Sequence, residues 1–233
     1  HDETLALMGD RARRFIECAI AFAEAGFYAH AVKTLQLGRA ASPMLKYYEA
    51  FYLEQSGNSS DASNALTEAA ARSPRCCFPN RLEDAKVLSF ALNRNQADAH
   101  APYYLGCLFY DKRRYEDAQR LWELSAQLDA SFPTVWRNLS LVYYNQCGEP
   151  QKAREALERA FALDVADARV LLELDQLYKK LGVAPSERLE HLRTHEDTML
   201  QRDDLCAEFI TLLNLTGRFE EAYNTLMQRH FHP

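Results

Sequence analysis

Two histidines four residues apart, His191 and His195, followed at once by Glu196, are the grouping in this chain closest to a metal site. On a helix, i,i+4 spacing stacks two imidazoles on one face, where they can share a cation with a carboxylate. The pattern is not H-E-x-x-H, because Leu192 stands where a catalytic glutamate would be. A solvated polar face is the simpler reading, and no metal is assigned. Adjacent Cys76 and Cys77 lack the C-x-x-C spacing of a zinc site. His230 and His232, next to the last residue, are not read as ligands. No G-x-S-x-G, P-loop or dinucleotide fingerprint occurs. Carboxylates are plentiful, but in helical proteins they mostly cap helices and solvate outer faces, so only Asp175 is singled out for burial. No catalytic residue and no cofactor is expected, and the chain is read as a non-enzyme whose chemistry is binding.

The elements that would carry such chemistry are marked by a repeat. Five times a turn residue is followed five positions later by alanine and four later by a bulky apolar residue: Gly26/Ala31/Leu35, Gly57/Ala62/Leu66, Arg113/Ala118/Trp122, Gly148/Ala153/Leu157 and Gly217/Ala222/Leu226. Apolar positions recur at helical spacing on both sides of each turn, so every unit predicts two antiparallel helices. Small Gly106 and Ala118 mark where two helix axes approach, and Trp122 is placed between its pair and the next. Pro133 can open a helix, and one residue is inserted near Cys147. Between Ala153 and Ala222 a degenerate unit is needed, supplied by Leu171, Leu174, Tyr178 and Gly182 and then by Pro185 to His195. Alternating strand patterns are almost absent. The fold class predicted is all-α, a right-handed superhelix of stacked antiparallel helix pairs, over one array 1–233. Its units run approximately 12–43, 44–76, a partial 77–97, 99–131, 133–166, a degenerate 168–197, and 203–233. In the partial unit, Leu82, Ala85, Leu88 and Leu92 describe a second helix whose first partner has shrunk to a short segment.

Composition narrows the partners. The 233 residues carry a net charge of −6 and are 48% apolar, with pI near 5.7. That balance disfavours nucleic acid, which calls for a concentrated basic face. The densest basic groups are Arg11/Arg13/Arg14 and Lys112/Arg113/Arg114, the latter in a turn among acids. No apolar run reaches the ~18 residues of a membrane span. Six scattered cysteines (Cys18, Cys76, Cys77, Cys107, Cys147, Cys206) read as reduced, buried thiols in a cytoplasmic protein. The chain opens on His1 and stops after Pro233, as a piece of a longer polypeptide would.

Small and aromatic residues at these offsets, with a period near 34, resemble the tetratricopeptide repeat (TPR), most specifically from Leu105 to Asp129. The first two units lie only 31 residues apart, and Pro102 replaces the usual aromatic of the best unit. The segments CFPNRLED (77–84), APYYLGCLFYDKRRYEDA (101–118), FPTVWRNLSLVYYN (132–145) and LELDQLYKKLG (172–182), with the tail QRDDLCAEFITLLNLTGRFEEAY, resemble the helical-repeat portion of large bacterial DUF5107-class proteins. In that class the repeats accompany β-rich, carbohydrate-related domains. The TPR resemblance implies a concave groove lined by first helices. Carried over position by position, its candidates are Tyr47, Phe51, Tyr103, Tyr110, Arg137, Asn138, Tyr144, Asn145 and Lys179, with Cys107, Leu141 and Gln176 beside them. Tyrosine area with Arg and Asn donors suits an extended peptide or a docked domain, including one of the same polypeptide. A chaperone-tail carboxylate clamp is not implied, because the first-repeat positions it needs are Ile16 and Ile20. A non-catalytic interaction scaffold is the leading expectation. The alternative is the helical part of a carbohydrate-processing enzyme that positions β-domains or substrate.

Overall fold

The computed structural model describes residues 12–38, 42–75 and 77–230. His1, Arg11, Cys76, His232 and Pro233 lie outside the described residues. The chain divides into two compact units, His1–Ala130 and Ser131–Pro233. The first contains α1 (Ala12–Glu24), α2 (Tyr28–Leu37), α3 (Pro43–Gln55), α4 (Ser59–Ala71), α5 (Leu82–Arg94), α6 (His100–Asp111) and α7 (Tyr115–Leu128). The second contains α8 (Pro133–Val142), a π-helical turn (Tyr143–Cys147), α9 (Pro150–Leu163), α10 (Ala168–Lys180), α11 (Pro185–Thr194), α12 (Glu196–Met199), α13 (Asp203–Leu215) and α14 (Phe219–Gln228). No strand occurs among the described residues. Within each unit successive helices pack as hairpins: α1 with α2, α3 with α4, α6 with α7, α8 with α9, and α13 with α14. The fold is all-α, a TPR-like solenoid of stacked helix pairs.

Each hairpin turns on a left-handed residue. Gly26, Gly57, Gly148, Gly182 and Gly217 have φ between 65° and 82°, and a Cβ at any of them would meet nothing within 4 Å. Space is therefore not what demands glycine there; the backbone angle is. At the remaining turn Arg113 adopts φ 60°, a conformation costing an L-residue roughly 1–2 kcal/mol. Prolines supply the complementary signal at helix starts, since Pro43, Pro133, Pro150 and Pro185 occupy first-turn positions where no N–H is needed.

Close approach explains the small residues. A Cβ on Gly106 would lie 2.6 Å from both Cδ1 and Nε1 of Trp122, and Ala118 is fully buried. The indole is pinned where it sits, donating from Nε1 to the Tyr103 carbonyl at 3.2 Å and stacking on Tyr110 at 5.3 Å. Trp122 thus packs within its own α6–α7 hairpin, against Gly106, Tyr103 and Tyr110.

In the first unit the irregular stretch between α4 and α6 is anchored by two consecutive tyrosines of α3. Tyr48 donates to Asp84 Oδ1 at 2.7 Å, while Asp84 Oδ2 accepts from the Asn80 and Arg81 amides at 2.8 and 3.0 Å. Tyr47 donates to Asp98 Oδ2 at 2.8 Å, and Asp98 Oδ1 caps α6 through the His100 amide at 2.8 Å. Both carboxylates are buried and satisfied. Helix α5 packs on α3 and α6, two first helices. Two first helices are also what the second helix of a pair packs on, as α2 does on α1 and α3.

In the second unit the inserted residue is absorbed as the π turn, where the Glu149 amide reaches back to the Tyr143 carbonyl at 2.9 Å. Asp175 is buried, as singled out from sequence, and Arg188 of α11 grips it through Nε at 3.0 Å and Nη2 at 2.6 Å. The same guanidinium reaches Glu208 Oε1 of α13 at 2.6 Å, which Lys179 also meets at 2.9 Å. One buried cation therefore ties α10, α11 and α13 together.

Candidate functional site

In the second unit a cavity of about 110 Å³ opens between α8 and α10. Its rim carries Arg137, Tyr144, Asn145, Gln176 and Lys180, and Leu141, Leu157 and Leu177 supply apolar lining. Helical spacing places Arg137, Leu141 and Tyr144 on one side of α8 and its π turn. Gln176 and Lys180, four apart on α10, face them.

The rim is electrostatically prearranged. Arg137 forks onto Glu173, with Nε to Oε2 and Nη2 to Oε1 both at 2.6 Å, and Arg169 adds a third contact at 3.1 Å. That bidentate pair fixes the Arg137 plane against the wall. The Lys180 ammonium sits 5.2 Å from the centre of the Tyr144 ring, a cation–π distance. Among the described residues Lys180 forms no ion pair, so its charge is available to a ligand. Asn145 and Gln176 are exposed and bring both donors and acceptors. The arrangement can hold an extended chain: amides for its main chain, an apolar slot about one aliphatic side chain in size, and a cation for an acidic group.

The nine residues expected in a groove therefore separate. Arg137, Tyr144 and Asn145 come together here; Asn138 is half-buried on α8 and does not line the cavity. Lys179 is exposed but turned to Glu208. Tyr47 is 0% exposed and serves as the Asp98 anchor, with burial and that carboxylate pushing its phenol far above the ordinary value. It is a core residue, because α5 and α6 both close over α3. Tyr103 is likewise buried, lending its carbonyl to Trp122. Half-buried Tyr110 packs between Tyr115 and Trp122 inside its hairpin.

Phe51 is buried against Phe90 at 5.4 Å, yet its edge lines a separate cavity of about 510 Å³ in the first unit, among Tyr28, Tyr48, Tyr52, Leu82 and Lys86. Burial, with Glu24 and Glu83 nearby, pushes the Tyr52 phenol up to about 12. This cavity was not visible from sequence, since α5 forms one of its walls.

The histidine pair is an aromatic cluster. His191 and His195 stand edge to face at 5.1 Å, His195 packs on Phe161 at 4.8 Å and His191 on Tyr178 at 5.4 Å. Among the described residues no group of three or more His, Cys, Asp or Glu side chains is placed to hold a metal. Nor is any helix there long and apolar enough to cross a membrane. Cys77 and Cys206 are buried thiols, and burial pushes Cys77 up to about 11; Cys147, by contrast with the expected buried set, is exposed.

No protein-family model matches the chain. Among solved structures it is similar to PilF of Pseudomonas aeruginosa, at 18% identity over 93% of this chain and 89% of that one, with a TM-score of 0.48. MamA from Desulfovibrio magneticus RS-1 is 18% identical over 84% of this chain and 99% of that one, with a TM-score of 0.46. The Cut9–Hcn1 hetero-tetramer of the APC/C is 16% identical over 88% of this chain and 36% of that one, with a TM-score of 0.48. At this distance the likenesses assign neither a ligand nor a reaction.

Proposed function

We propose that the chain is a non-catalytic interaction module whose α8–α10 groove binds an extended peptide, either free or within a neighbouring domain. The observation that carries this reading is the rim of Lys180, Tyr144, Asn145 and Gln176 around an apolar slot, with Arg137 held in place by Glu173. Such a rim offers directed hydrogen bonds at little ordering cost, because its wall is already braced. A net charge of −6 favours protein over nucleic acid as the partner. The buried Cys77 and Cys206 thiols suit a reducing, cytoplasmic setting.

Selection of displayed random peptides on the 233-residue chain, followed by fluorescence anisotropy, tests the proposal. Tyr144→Ala and Lys180→Ala should each weaken a selected peptide about tenfold, while Lys86→Ala in the first unit leaves it unchanged. Failure to select any peptide, or peptides indifferent to both groove substitutions, refutes the assignment.

A further inference from the structure

Counting from the turn residue of each hairpin, positions two, six and ten of the second helix form a single stripe. In α2 these are Tyr28, Val32 and Gln36, of which Tyr28 and Gln36 meet α3. Tyr28 lies 6.3 Å from the Tyr52 ring, Val32 is buried, and Gln36 Nε2 donates to Glu49 Oε1 at 2.9 Å. In α9 they are Pro150, Arg154 and Glu158. Arg154 lies over the Tyr178 ring of α10 at 5.1 Å, and Glu158 accepts from the Tyr178 hydroxyl at 2.8 Å. The stripe is thus the surface on which a second helix receives the first helix of the next pair. In α4 it reads Ser59, Ser63 and Thr67, all exposed, with the Ser63 and Thr67 hydroxyls turned back onto their own helix. A stripe facing water is polar, as an array needs for solubility.

Helix α14 breaks that rule. Its stripe is Phe219, Tyr223 and Met227, which are 67%, 62% and 64% exposed, flanked by exposed Leu215 and Leu226. The face is built like an interior one. The first helix that would meet it has a counterpart at the other end of the sequence. Tyr52 and Glu49 stand five and eight residues before their turn glycine, and Tyr178 four before its own. The same offsets from Gly26 fall on Ala21, Cys18 and Phe22 of α1. Ala21 and Phe22 are exposed and Cys18 is half-buried. Small Ala21 between Cys18 and Phe22 leaves a furrow for the bulky α14 ridge, whereas two α14 ridges would oppose bulk to bulk.

We propose that α14 of one copy receives α1 of a second copy, continuing the helix-pair register from molecule to molecule. Such a contact is heterologous, with a different face used on each partner, and an open chain of copies leaves one α1 and one α14 free at its ends. With one short helix per face it is a small interface, weak enough to build up only at about 10–100 µM.

Sedimentation of the 233-residue chain from about 1 to 300 µM should show average mass rising from the 26.7 kDa monomer by more than twofold, without a dimer plateau. The triple variant Phe219→Ser/Tyr223→Ser/Met227→Thr, which copies the α4 stripe, should stay monomeric, as should Ala21→Glu. Each retains one intact face, so their equimolar mixture should form a dimer and nothing larger. The altered side chains are exposed, and unchanged circular dichroism melts confirm folding. A monomer at every concentration overturns the proposal and leaves the stripe to a helix of another protein. A dimer plateau that survives Ala21→Glu overturns it in favour of α14 pairing with α14, and a mixture that stays monomeric overturns it as well.

Discussion

Removing Arg188 while leaving Asp175 in place should cost the second unit a large part of its stability. Both side chains are almost inaccessible, at 3% and 1% exposure, and the guanidinium holds both Asp175 oxygens together with one oxygen of Glu208. In Arg188→Met the apolar stem is kept, but Asp175 is left as a buried, uncompensated carboxylate. Breaking such a pair from one side costs about 3–5 kcal/mol, against a typical total of about 5–15 kcal/mol for a domain. Glu208 suffers less, because Lys179 still reaches it. Replacing both partners, Asp175→Leu with Arg188→Met, removes the buried charge altogether and should return stability to within about 1 kcal/mol of the parent, or above it. The two substitutions are therefore strongly non-additive, with a coupling of about 3 kcal/mol. Urea unfolding of the parent, the single variants and the double variant measures it. If Arg188→Met alone stays within about 1 kcal/mol of the parent, the guanidinium is not neutralising a buried charge and the reasoning fails.

Two further outcomes are expected. Arg113→Gly should raise stability by about 0.5 kcal/mol, because relief of roughly 1–2 kcal/mol of left-handed strain exceeds the 0.5–1 kcal/mol entropic cost of glycine; a lower thermal midpoint would contradict the turn assignment. Burial, and then the neighbouring His195, lower the pKa of His191, with Asp175 and Glu158 opposing. The folded chain therefore takes up that proton later than the unfolded chain, and its stability falls as pH drops below about 6.5, by up to ~1.4 kcal/mol per pH unit. His191→Phe should flatten denaturant midpoints measured between about pH 7 and 5, and an unchanged slope would discount the cluster as a pH-sensitive element.

How much was legible in the sequence varies by element. The turn glycines were, because a left-handed backbone position strongly favours one residue type; Arg113 was found in the same place only by its spacing to Ala118 and Trp122. Arg137, Tyr144 and Asn145 line one cavity, as helical period, which fixes the side chains that share a face, leads one to expect. Lys180 was missed beside Lys179, since a one-residue step of about 100° on a helix separates a groove side chain from one turned to Glu208. Tyr47 and Tyr103 were placed on a surface because periodicity says which face a residue occupies, never what covers it.

The amino-acid pattern by itself determined that this is a chain of helical hairpins, where each one turns, and which small residues let two axes approach. Those features depend on backbone angles and on contacts within about 35 residues, the length of one repeat. Only the tertiary structure decided that α5 packs on both α3 and α6, that Tyr47 and Tyr48 hold the carboxylates that anchor the irregular stretch, and that Asp175 is neutralised by Arg188. Burial of a charge depends on what arrives from elsewhere in the chain, and a local repeat does not encode the partner.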